Sequence, residues 1–155
     1  KTAYEMPKWL EFRRVRFRSD GLHEALVILE EEGLENSWAR HNKYHLALRA
    51  GLEAMGLSFV VDEKDRLPQL NAVYIPDGVD DAAVRSALLN DYSLEIGAGL
   101  GVMGGKVWRI GLMGHACNKR NVLFCLGALG DVLSRMNASI NKESAMGAAQ
   151  KILAA

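Results

Sequence analysis

Apolar and polar residues along this chain recur with two different periods, and the changes of period mark its elements. From residue 20 onward, Leu22, Ala25, Leu26 and Leu29 fall at three- and four-residue steps, the spacing of one helix face. Ser19 or Asp20 is placed to cap that helix, and Gly33 to supply its left-handed final residue. A second stripe, Trp38, His45, Leu48, Leu52 and Met55, runs from about Glu35 and stops at Gly56. Ser58–Val61 is then short and β-prone, and Asp62–Arg66 is a charged turn. Over Leu70–Ile75 the period becomes two, with Leu70, Ala72 and Tyr74 on one face and Asn71, Val73 and Ile75 on the other. Pro76-Asp77-Gly78 forms a turn, and Asp80 caps a helix that runs to about Asp91. Leu94–Ile96 and Lys106–Leu112 are further strands on either side of a glycine-rich segment. Asn118 caps a helix that turns Val122, Leu123, Leu126, Leu129 and Leu133 toward a core. Beyond Met136 the pattern weakens, with one marginal helix over Ala145–Leu153. Helices and short strands mix without the strict alternation of a doubly wound sheet. The expected class is therefore α+β, a small antiparallel sheet of about four strands covered by helices.

Composition narrows the function classes. The 155 residues suit a domain of ordinary size, and 49% hydrophobic with 25% charged residues exclude a disordered or collagen-like chain. Lys+Arg and Asp+Glu both number 19, so no global field selects nucleic acid or acidic lipid. No apolar run approaches the roughly 20 residues of a membrane span. The N-terminal residues lack the apolar stretch of a secretory signal. Residues 1–20 stand apart as a basic leader, with Lys1, Lys8, Arg13, Arg14, Arg16 and Arg18 against Glu5, Glu11 and Asp20. Residues 21–136 carry the strong patterning, and 137–155 form a weakly structured tail. Cys117 and Cys125 are eight residues apart, too far for a disulfide along a helix rising about 1.5 Å per residue. Free thiols in a reducing, intracellular compartment are expected.

Few residues offer chemistry. Gly99-Leu100-Gly101-Val102-Met103-Gly104 matches G-x-G-x-x-G, yet it leads into the strand-like Lys106-Val107-Trp108-Arg109-Ile110 rather than a helix whose amides could meet a pyrophosphate. A P-loop fails as well, with Leu100 six residues before Lys106 and Val107 after it. The glycines then read as a turn between strands, or as a place where backbone approaches a small ligand. Arg109 shares a strand face with Val107 and Gly111. That is an unusual setting for a guanidinium, which either grips a carboxylate there or lies on a solvated sheet face. His115 and Cys117 have no second ligand pair, and His41-Asn42-Lys43-Tyr44-His45 lacks the glutamate of a zinc peptidase, so no metal site is expected. Phe12–Arg18 interleaves aromatics with base, as single-strand binders do, or forms an amphipathic edge strand or an artefactual leader. Trp38 reads as a core aromatic.

Four blocks in register carry a resemblance. They are Gly33-Leu34-Glu35-Asn36-Ser37-Trp38, Arg66-Leu67-Pro68, Leu94-Glu95-Ile96-Gly97-Ala98-Gly99-Leu100-Gly101 and Gly105-Lys106-Val107-Trp108-Arg109-Ile110-Gly111-Leu112-Met113-Gly114. From about Gly21 to about Arg135 the chain resembles the C-terminal small domain of alanine–glyoxylate/serine–pyruvate aminotransferases, class V enzymes of the fold-type I group that use pyridoxal 5'-phosphate. The resemblance implies a homodimer, or a dimer with a full-length subunit, that moves an amino group from alanine or serine to glyoxylate. It makes small amino and keto acids the partners, with neither nucleic acid nor membrane. It assigns Arg109 to the substrate's carboxylate and puts Gly97, Gly99 and Gly101 near the active-site entrance. It implies a peroxisomal or mitochondrial home, although Ile152-Leu153-Ala154-Ala155 is no S-K-L-type signal. The family's Schiff-base lysine, pyridine-pairing aspartate and ring-stacking aromatic match nothing here, and Lys106 is not that lysine. The Tyr- and Thr-bearing segment that reaches the partner's cofactor phosphate also has no counterpart, Arg14–Asp20 standing in its place. Lys1-Thr2 and Lys8-Trp9-Leu10 faintly resemble an earlier stretch. The expectation is a fragment that is not expected to hold the cofactor by itself, is inactive alone and has no catalytic residue of its own. A non-catalytic dimerisation module and a single-strand binder stand as alternatives.

Overall fold

A computed structural model describes residues 8–154 of the chain, with side chains from residue 19 onward. The polypeptide divides into two compact units, Lys1–Trp38 and Ala39–Ala155. In the first, helix α1 spans Lys8–Glu32. It starts twelve residues before the expected cap at Asp20, because the arginine-rich stretch joins the helix. The edge-strand expectation for Phe12–Arg18 is thereby corrected, as its four arginines favour helix. The residues before Lys8 lie outside the described residues. Gly33 ends α1 at φ +80°, its N–H donating to the Leu29 carbonyl at 2.9 Å. Asn36 Nδ2 closes the break by donating to the Glu32 carbonyl at 2.8 Å. Leu22, Leu26, Ile28 and Leu34 are exposed. Trp38 is 61% exposed rather than in the core. At 3.6 residues per turn it lies about 60° from the centre of the stripe formed by His41, His45, Leu48, Leu52 and Met55.

Helix α2 (Leu34–Met55), whose span includes the boundary between the units, supplies most of the second unit's first layer. Gly56, at φ +103°, ends it as expected. Strand β1 (Leu70–Tyr74), helix α3 (Asp81–Tyr92), strands β2 (Gly97–Ala98) and β3 (Val107–Gly111), and helices α4 (Lys119–Arg135) and α5 (Lys142–Ala154) follow. The caps at Asp80 and Asn118 form as expected, accepting from Ala83 N–H at 2.6 Å and Asn121 N–H at 2.9 Å. The weakly patterned tail contains α5, which buries Ala145 and Ala149.

The sheet has three antiparallel strands in the order β1-β3-β2. Two of the four expected strands change. Ser58–Val61 reduces to an isolated bridge, Phe59 opposite Val73. Pairing expected over Leu94–Ile96 begins only at Gly97, because Leu94 still serves α3. Its N–H donates to the Leu88 carbonyl at 3.1 Å around a left-handed Ser93. Arg66 fastens the loop after the bridge. It donates to the Val61 carbonyl at 2.8 Å, pairs with Glu53 at 3.2 Å and lies 4.3 Å above the Phe59 ring.

One face of the sheet is packed by helices. Trp108, Leu48, Leu52, Met55, Leu88, Leu126, Leu129 and Leu133 are fully buried there. At Gly51 the helices come so close that a Cβ would stand 2.4 Å from Leu126 Cδ1. A polar pair sits inside this core. His45 Nδ1 and Asn71 Oδ1 lie 2.8 Å apart, while Asn71 Nδ2 faces the carbonyls of Ile110 and Pro68, each at 3.4 Å. The amide oxygen can only accept, so Nδ1 carries the proton. Burial lowers the His45 pKa, and the Asn71 hydrogen bond partly opposes that shift. Among the described residues no helix is long and apolar enough to cross a membrane.

Two outcomes are expected. Gly51→Ala should cost about 1–3 kcal/mol of stability in urea denaturation. The cost should vanish in a Leu126→Ala background, and an equal cost in both backgrounds would contradict the contact. His45 in the unfolded chain titrates near about 6.5, above its folded value. Its contribution is therefore full above about pH 6.5 and is lost as pH falls through the folded value. A His45→Gln variant should lose less stability than the parent between about pH 7 and pH 5; parallel losses would refute this.

Candidate functional site

Strand β3 is central, and its alternation decides where its side chains go. Trp108 and Ile110 enter the helix-covered core. The Trp108 indole N–H donates to Asp81 Oδ1 at 3.0 Å. Asp81 also accepts from Arg85, whose hydrogen bond is the main reason its carboxyl is held below the usual range. Arg109 is thereby committed to the opposite face, where it is half-buried. Its neighbours across the two ladders are Ala72 on β1 and Gly97 on β2, both small. Arg109 Nε donates to the Ala98 carbonyl at 2.8 Å. Among the described residues no carboxylate pairs with it. A guanidinium has five N–H donors, so the four on Nη1 and Nη2 remain for an anion that approaches the end of the fork.

The glycine segment links β2 to β3. Gly99 N–H donates to the Val107 carbonyl at 2.9 Å, and a Cβ there would meet the Met103 carbonyl oxygen at 2.0 Å. The close approach that glycine permits at this position is thus to the turn's own backbone. Gly101 (φ +55°) opens a three-residue 3-10 turn, Gly101–Met103, which leads to a strand and not to a helix. The geometry of a pyrophosphate cradle is not built. Gly97 sits beside Arg109 itself, its missing Cβ 3.3 Å from Nη2. The tip of the segment is open to solvent, with Val102 85% exposed.

Other candidates find separate partners. His41 Nε2 accepts from the Gly114 N–H at 3.1 Å, and Arg40 donates to the carbonyls of Gly114 and Cys117 at 2.8 and 2.9 Å. Helix α2 thus clamps the turn that follows β3. With His41 on Gly114 and His45 on Asn71, the two histidines do not converge. Among the described residues no cluster of three metal-ligating side chains exists. His115 is exposed. Cys117 and Cys125 are buried free thiols, and burial pushes the Cys125 thiol up to about 12. A cavity of about 300 Å³, lined by Ile96, Ile110, Leu112, Val122 and Cys125, lies on the core side of β3. Sequence reasoning missed Ala98, Ala72 and the Arg40–His41 clamp. Only the small residues facing Arg109 left a trace, as gaps in an otherwise bulky pattern. Every lysine whose side chain is described, Lys106 among them, is exposed.

No family model matches the chain. Among curated proteins it is 44% identical over 128 residues to the (S)-ureidoglycine–glyoxylate transaminase of Bacillus subtilis, covering 83% of this chain and 31% of that protein. It is 42% identical over 113 residues to the alanine–glyoxylate aminotransferase of Callithrix jacchus, covering 72% of this chain and 27% of the relative. The crystal structure of ureidoglycine–glyoxylate aminotransferase from Bacillus subtilis superposes with a TM-score of 0.84 at 42% identity, over 86% of this chain and 35% of the other. The chain spans about a third of the length of the relatives it matches. Its relatives in both sequence and fold are class V aminotransferases, ureidoglycine–glyoxylate and alanine–glyoxylate enzymes among them, and the chain corresponds to the C-terminal part of these longer proteins.

Proposed function

We propose that this chain is the substrate-carboxylate half of a transaminase site, acting on a small amino acid and glyoxylate, with alanine or serine as the amino donor. The observation that carries the proposal is Arg109. It is a half-buried guanidinium, steadied through Nε by Ala98, with no acidic partner among the described residues. Such a fork suits a carboxylate bidentately, and fixing one end of a small substrate is what orients its other end for chemistry. Glyoxylate appears in the names of both curated relatives compared above, which supports a small 2-oxo acid as the acceptor. Pyridoxal 5'-phosphate, when bound, would supply the electron sink for amino transfer. Its lysine and its stacking residues would come from a part of the enzyme other than these 155 residues.

On this reading the 155 residues alone have no aminotransferase activity. Purified chain with pyridoxal phosphate, alanine and glyoxylate should form no pyruvate above a blank of free cofactor; turnover above the blank would contradict the proposal. In an aminotransferase that contains this segment, Arg109→Ala should raise KM for alanine by about 10- to 100-fold, the loss expected for hydrogen bonds to a charged group. The KM of the matching amine, which lacks the carboxylate, should move little. Equal shifts for the two substrates would remove Arg109 from the carboxylate. The reading also includes association with a second copy or a longer subunit through exposed Leu22 and Leu26, which share one face of α1. A single monomeric species in sedimentation across a range of concentrations would count against that part.

A further inference from the structure

We propose that Gly97 and Ala98 are positioning residues that seat the Arg109 guanidinium and restrict its carboxylate partner to an end-on approach. The inference deepens the carboxylate reading above and rests on it. An arginine can present two forked edges to a carboxylate, a side-on edge made of Nε with one Nη, and an end-on edge made of Nη1 with Nη2. Here the side-on edge is engaged, because Nε donates to the Ala98 carbonyl at 2.8 Å. That carbonyl belongs to the backbone of β2 and is fixed by the ladder, where Gly97 pairs with Arg109 and Ala98 with Trp108. It cannot rotate away as a side-chain acceptor could.

Space is the second half of the seat. The missing Cβ of Gly97 would lie 3.3 Å from Nη2, 3.4 Å from the Arg109 carbonyl oxygen and 3.5 Å from Arg109 Cβ. A methyl there presses on the guanidinium, and a branched side chain occupies the volume that Nη2 uses. Ala72 on the other flank is also small, so neither neighbouring strand crowds the head group. A long side chain held by one backbone acceptor and given room on both sides pays for little further ordering when its ligand arrives. Misplacing it by a fraction of an ångström would degrade the bidentate geometry.

The test uses the 155-residue chain labelled with 15N, with the Arg109 Nε–H resonance assigned by its loss in Arg109→Lys. In the parent the Nε–H should exchange slowly with water. Gly97→Val should speed that exchange by about tenfold or more, the loss of one hydrogen bond to a charged donor. Backbone amides of β3 and the thermal midpoint should hold steady. If Gly97→Val does not fold, Gly97→Ala carries the same measurement with a smaller displacement. Unchanged Nε–H exchange in a folded variant overturns the seat. Pyruvate, titrated as the carboxylate probe, should shift the Nη resonances and leave the Nε–H protected; exposure of the Nε–H on adding pyruvate overturns the end-on restriction. A protected Nε–H that the Gly97 substitution exposes, together with no response of any Arg109 resonance to pyruvate, supports the seat and overturns the carboxylate reading instead.

Discussion

Successive side chains of a strand leave on opposite faces, and on β3 that constraint governs both the core and the site. Trp108 is the largest fully buried side chain among the described residues, and with Ile110 it ties β3 to the helices. Once those two residues are inside, Arg109 between them has only the other face available. A charged head group on a central strand can persist there only with small neighbours and a fixed acceptor, and Ala72, Gly97 and the Ala98 carbonyl meet that requirement. The hydrophobic packing of one face thus sets the direction in which the other face presents its charge.

Much of this was readable from the order of residues, for local reasons. Caps at Asp80 and Asn118 and the helix end at Gly33 depend on contacts within a few positions, which local patterns encode. The alternation that puts Arg109 opposite Trp108 is local as well. What escaped was set by distant partners or by competition between neighbouring elements. Leu94–Ile96 has the composition of a strand, but the cap of α3 claims Leu94 first. Ser58–Val61 has no second row of partners to turn a bridge into a strand. Trp38 obeyed the spacing and still stayed outside, since spacing defines an angular sector and not a depth. Arg40 reaches a carbonyl 74 residues away, and no local pattern announces such a contact.

The motifs that carried the family resemblance divide by physical role. Arg66 closes a loop over Phe59 and Glu53. Gly33 with Asn36 makes a helix break. The glycines at 99 and 101 shape a turn that other side chains could not adopt, one through backbone proximity and the other through a left-handed conformation. Three of the four blocks therefore contain residues with a structural account, and the substrate reading concentrates in the strand that holds Arg109 and in the two residues of β2 that touch it.

The shortness of β2 has a bearing on solution behaviour. With only two residues in that strand, and with the outer side of β1 already hydrogen-bonded to Ser58 and Val60 (Tyr74 N–H to the Ser58 carbonyl at 2.9 Å, Val60 N–H to the Ala72 carbonyl at 3.0 Å), the three-stranded sheet offers no extended row of open donors and acceptors at either border among the described residues. A foreign strand would find little to template on, so the sheet is a poor seed for fibrils or strand exchange. The brevity that hides β2 from sequence reading also protects the molecule from self-association along its edges.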